Sequence, residues 1–97
     1  MKPVSFLPSA KQEMIEAADF YGSRVRKLGV EFARAVEEAV MRIQLNPRAC
    51  PTVRRGIRMR IMIRFPYAIV YRDFPDSIII VAIAHMHRRP GYWSGRT

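Results

Sequence analysis

The sequence predicts an α+β domain in which an N-terminal strand and a helical hairpin pack on an antiparallel sheet, in the order β-α-α-β-β-β. Apolar residues recur at helical spacing through most of the first 45 residues and at alternating positions from Ile57 onward. The late runs are separated by Phe65-Pro66 and by Phe74-Pro75-Asp76-Ser77, breaks too short for parallel crossovers, so they form a meander. Ninety-seven residues suffice for one core, so residues 1–97 are read as a single domain.

Residues 3–7 form a short opening strand with Val4 and Phe6 on one face. Pro8 and Ser9 mark a helix start, with Ser9 placed to cap and Gln12 to reach back from three residues on. Met14, Ala18, Tyr21, Val25 and Leu28 then follow in steps of four and three as an apolar stripe, and Lys11, Glu13, Glu16, Asp19 and Arg24 fall mostly on other faces. Gly29 is expected at the turn into a second helix, about residues 30–45, with Phe32, Val36, Ala39, Val40 and Ile43 as its stripe. Asn46-Pro47 ends that helix, because proline pushes the preceding residue out of helical geometry.

Residues 48–56 read as a basic connector. Strict alternation follows: Ile57, Met59, Ile61, Ile63 and Phe65 point one way, and Arg58, Arg60, Met62 and Arg64 the other. The expectation is a half-buried strand with an arginine ladder on its open face. Residues 67–73 make the next strand, and residues 78–85, apolar on both faces, make a central one. The tail from His87 to Trp93 leaves the sheet with room for one helical turn.

Seventeen Lys and Arg stand against eight Asp and Glu, a net charge of +9, and the two halves share it unequally. Residues 1–47 hold seven basic and six acidic groups, whereas residues 48–97 hold ten basic, all Arg, and two acidic. Arginine forks suit carboxylates and phosphates, so the partner should be polyanionic. The prospective helices carry six of the eight acidic residues, which argues against a helix reading a DNA groove. One cysteine, Cys50, cannot make an internal disulfide, and no apolar run reaches membrane-spanning length; a reduced, cytoplasmic setting without a membrane partner is expected. His85 and His87 share a face but have no third ligand nearby in sequence, so neither a metal nor a cofactor is expected. Tyr92 and Trp93 read most simply as a lid on the core, and Arg54 and Arg55 as solvated loop charges.

The order of elements, together with Pro8, Ala10, Asn46-Pro47, the run from Arg64-Phe65-Pro66-Tyr67 to Tyr71, and the ending His85, His87-Arg88-Arg89-Pro90, Tyr92-Trp93 and Arg96, resembles the RelE/ParE superfamily of type II toxin–antitoxin toxins, ParE-like branch. That resemblance implies a toxin neutralised by a cognate acidic antitoxin, whose flexible end wraps the hairpin and the sheet. Superfamily members divide by target: ParE-like toxins inhibit DNA gyrase, and RelE-like toxins are ribosome-dependent mRNA endoribonucleases. Nucleases of the family carry a basic residue on the middle strand where this chain has Ala68. The gyrase-directed reading, in which the chain is not an enzyme, is therefore preferred, with the ribosome and mRNA as the alternative target. A nuclease would draw its catalytic residues from His85, His87, Arg88, Arg89 and Tyr92, with Arg60 or Arg64 replacing the missing cation if they converge on His87. Target or antitoxin binding is assigned to Arg58, Arg60, Arg64, Arg89, Tyr92, Trp93 and Arg96.

Overall fold

The computed structural model describes residues 1–96 and has the predicted α+β order, with one additional short strand. The elements are β1 (Val4–Phe6), α1 (Pro8–Arg24), α2 (Arg26–Leu45), β2 (Thr52–Arg54), β3 (Ile57–Ile61), β4 (Tyr67–Asp73) and β5 (Ile78–His85), followed by a 3₁₀ turn at Ser94–Arg96. They build a five-stranded sheet in the order β1-β5-β4-β3-β2. The meander is antiparallel, and β1 joins the far edge parallel to β5, with Val4 opposite Ile78.

The hairpin covers one face of this sheet. Phe32, Val36, Ala39 and Ile43 of α2 and Ala10 and Ala17 of α1 pack on Ile69, Tyr71, Ile78, Ile80 and Ile83. Phe65 closes the end of this core against Tyr21 and Phe32, with ring centroids 5.0 and 5.1 Å away. The opposite face holds a second, smaller core of Ile57, Val70, Val81, Ala82 and Ala84, closed by Trp93 from the tail. Burial from both sides is why residues 78–84 could be apolar throughout.

The helical hairpin turns earlier than expected. Val25, in extended conformation and exposed, is the junction, and Gly29 lies inside α2. A Cβ at Gly29 would stand 2.6 Å from the Ala18 carbonyl and 3.0 Å from the Gly22 Cα, so glycine there permits close helix contact rather than a turn. The helix start also differs: Leu7 is the N-cap residue, without a side-chain cap, and Ser9 lies within α1. Proline in the first turn has already removed one amide that would need capping. Gln12 bonds Glu16 instead.

The strand predicted from Ile57 ends at Ile61, and the alternation beyond it fails, leaving Ile63 fully exposed and Phe65 buried among the helices. The connector contains β2, which pairs with β3 across a hairpin turning at Gly56, where φ is +73°.

Candidate functional site

The orientation of β3 corrects the arginine ladder. Arg58 and Arg60 lie opposite Tyr71 and Ile69, so they share the helix side of the sheet, while Ile57 and Met59 turn to the second core. Strand β3 lies near the sheet edge, where its helix-side positions are half-exposed rather than sealed, and long side chains can keep their charges wet there. Arg58 donates to the carbonyls of Cys50 (2.7 Å) and Arg48 (3.3 Å), pinning the loop before β2. Arg60 reaches toward the Cys50 thiol, and Arg64 pairs with Glu31 of α2 at 2.7 Å.

Between α2 and β3 runs an open groove with a floor of Ala35, Ala39 and Met62 and a rim of Arg34, Arg42, Arg60 and Arg64 together with Glu31 and Glu38. Ile61 and Ile63, both exposed, border it. The groove thus combines an apolar base with a surplus of cations.

The tail is fastened by a residue that the sequence reading placed on another face. Strand β1 pairs only with residues 78–80 of β5, leaving the rest of that edge open. Glu13 of α1 accepts there from the Ile83 amide (3.0 Å), the Tyr92 hydroxyl (2.6 Å) and the Arg96 guanidinium (2.8 Å to each carboxylate oxygen). Arg96 also donates to the Val81 carbonyl at 3.1 Å, at the residue where β5 bulges against β4. Burial pushes the Glu13 carboxyl up, but its bonds from Arg96, Tyr92 and Ile83 outweigh that and hold it below its usual range. Burial and the bond to Glu13 push the Tyr92 phenol well above its ordinary value, and the same carboxylate raises Arg96. The signal was present in the sequence: Ala10, Glu13 and Ala17 are spaced as one helical stripe. Trp93, only 3% exposed, lies in the second core, with the Arg54 guanidinium 5.8 Å from its ring centre.

The remaining tail candidates gather elsewhere. His85 meets Tyr67 edge-on at 4.9 Å, and its Nδ1 accepts from the His87 amide at 3.0 Å. His85 and Arg88 line a shallow recess with Phe20, Tyr67, Glu13 and Glu16. Arg88 lies 3.9 Å from the centre of the Tyr92 ring, and Arg89 is exposed. The recess is separate from the groove holding Arg60 and Arg64, so the conditional convergence of those cations on the histidines is not formed. Ala68 is fully buried, and alternation places it on the side of Val70, away from the helices. Among the described residues, no group of three or more His, Cys, Asp or Glu side chains could hold a metal ion. Among the described residues, no helix is long and apolar enough to cross a membrane.

The fold is similar to that of a chain from the chromosomal ParDE TA system of P. aeruginosa, with a TM-score of 0.79 over 90% of this chain and 98% of that one, at 18% sequence identity. No curated sequence matches the chain. The family model for the ParE toxin of the type II toxin–antitoxin system, parDE, matches residues 4–90. The chain belongs to the ParE toxin family of type II toxin–antitoxin systems.

Proposed function

We propose that this toxin acts in the cytoplasm as a non-enzymatic inhibitor of DNA gyrase and is neutralised by an acidic antitoxin segment seated in the groove between α2 and β3. The observation that supports inhibition over RNA cleavage is the state of the cleavage candidates. Position 68 is a fully buried alanine, the Tyr92 hydroxyl is committed to Glu13, and Arg60 and Arg64 lie in a different recess from His85 and Arg88. Cleavage by a 2′-hydroxyl needs a base, an acid and a cation around one phosphate. The groove supports the antitoxin assignment, because an amphipathic acidic segment that folds on binding would match its apolar base and arginine rim.

Purified toxin should inhibit supercoiling of relaxed plasmid by gyrase or accumulate gyrase-cleaved DNA, and His87→Ala should leave this intact. Supercoiling that continues at saturating toxin overturns the gyrase assignment. New message ends in a translating extract, abolished by His87→Ala or Arg89→Ala, would establish the nuclease instead.

A further inference from the structure

The two sides of the molecule differ in charge in a way that the groove does not account for. Six of the eight acidic residues lie on the helices, and Asp73 alternates with Tyr71 onto the helix side of β4, where Lys2 pairs with it. Arginines on the other side have no such company. Arg72 alternates with Val70 onto the outer face, and its Nη1 lies 2.7 Å from where a Cβ on Gly56 would stand, against the β2–β3 turn. Arg55 is exposed in that turn, next to Arg54. Arg54 in turn lies against the tail, its Nη2 2.5 Å from where a Cβ on Gly91 would stand, and Arg89 is exposed two residues before Gly91. Among the described residues, none of these four arginines forms an ion pair with a carboxylate. Arg72 and Arg54 are held from β4 across the β2–β3 turn to the tail by close approach to Gly56 and Gly91, and Arg55 and Arg89 are exposed near those glycines in the chain.

We infer that this outer surface, Arg54, Arg55, Arg72 and Arg89, binds the phosphate backbone of duplex DNA without reading its sequence. Arginine forks match phosphate oxygens, and neutralising them releases condensed counterions. A single-stranded ligand fits less well, since Trp93 is buried and the Tyr92 ring already carries the Arg88 guanidinium 3.9 Å from its centre, leaving this face without a free platform on which unstacked bases could lie. Both α-helices, α1 and α2, cover the opposite face of the sheet, so neither can bring base edges in a groove within reach and backbone contacts remain. The inference goes beyond gyrase inhibition and stands without it, because the surface would hold DNA with no other protein present.

The test is fluorescence anisotropy of a short labelled duplex of mixed sequence, titrated with purified toxin over a range of salt concentrations. Four phosphates neutralised give a slope of log K against log salt of about −3.6. The Arg55→Ala/Arg89→Ala double variant should reduce that slope by about 2 and weaken binding at low salt by about tenfold or more. Both residues are exposed, and circular dichroism melting should confirm an unchanged fold. The control, Arg26→Ala/Lys27→Ala, removes the same charge from the exposed start of α2 and should change little. Equal weakening by both pairs would mean that net charge alone draws the DNA, and would overturn the assignment. So would absence of binding at low salt, tighter binding to the single strand, or full displacement of the duplex by polyglutamate at equal charge, which would point to an acidic protein.

Discussion

Replacing Glu13 by alanine should loosen the C-terminal tail and destabilise the whole domain. The carboxylate accepts four hydrogen bonds, two from Arg96, one from Tyr92 and one from the Ile83 amide. Hydrogen bonds to a charged group contribute about 1.5–3 kcal/mol each, but those sharing one carboxylate are not additive. Removing one partner of a buried ion pair costs about 3–5 kcal/mol. Arg96 keeps 22% of its side-chain surface and can recover some hydration, so the lower end, about 3 kcal/mol, is expected. In a domain of this size that lowers the melting temperature by about 12–24 °C. The lone Trp93, buried in the core that the tail closes, reports unfolding in urea by fluorescence. A Glu13→Ala variant within about 0.5 kcal/mol of the parent would show that the carboxylate does not hold the tail, since that is the range of an ordinary surface substitution. Acid provides a second arm. Because the folded carboxyl titrates below its unfolded value of about 4.3, its contribution is present above that pH and is lost as pH falls through the folded value. Glu13→Gln should lack that acid-dependent loss.

Other substitutions test separate parts of the argument. Gly29→Ala should destabilise by about 1–3 kcal/mol in thermal unfolding, because the new methyl group meets backbone of α1 that cannot yield without separating the helices. Tyr71→Phe should cost about 1–2 kcal/mol in urea unfolding, since the Tyr71 hydroxyl donates to the Pro47 carbonyl at 2.7 Å. Burial, then the neighbouring Cys50, push that phenol up, so the parent's stability from it is present below about pH 10 and declines above; the Phe variant should lack this alkaline decline. Arg60→Glu/Arg64→Glu should weaken an acidic antitoxin segment by at least about tenfold in calorimetry, through like-charge contact at the groove rim. Unchanged affinity would move the antitoxin to another surface.

Much of this architecture was legible in the chain because it is written in local periods. The stripe of Phe32, Val36, Ala39 and Ile43 is buried as its spacing requires, and the doubly apolar run at residues 78–84 is central and covered on both sides. The family resemblance rested on the same order of elements and on motifs at the strand ends, and the match over residues 4–90 agrees with it. Less legible were the features that depend on where a segment stops. Alternation past Ile61 suggested a longer strand, but the Met62 amide already donates across the turn to the Tyr67 carbonyl at 2.9 Å as the chain reverses at Phe65-Pro66.

Fold class, family and the concentration of arginine in the second half can be read along the chain, since period, turn chemistry and composition are properties of neighbouring residues. Which way the arginines face is settled by packing between distant segments. Alternation separates Arg58 and Arg60 from Ile57 and Met59, yet it is symmetric between the two sides of a sheet, and the tail's core under Trp93 took the apolar row while α2 took the charged one. The tertiary structure likewise made Glu13 the clasp of residues more than 65 positions distant, because β1 stops short and leaves a polar edge on β5 that burial obliges some side chain to satisfy.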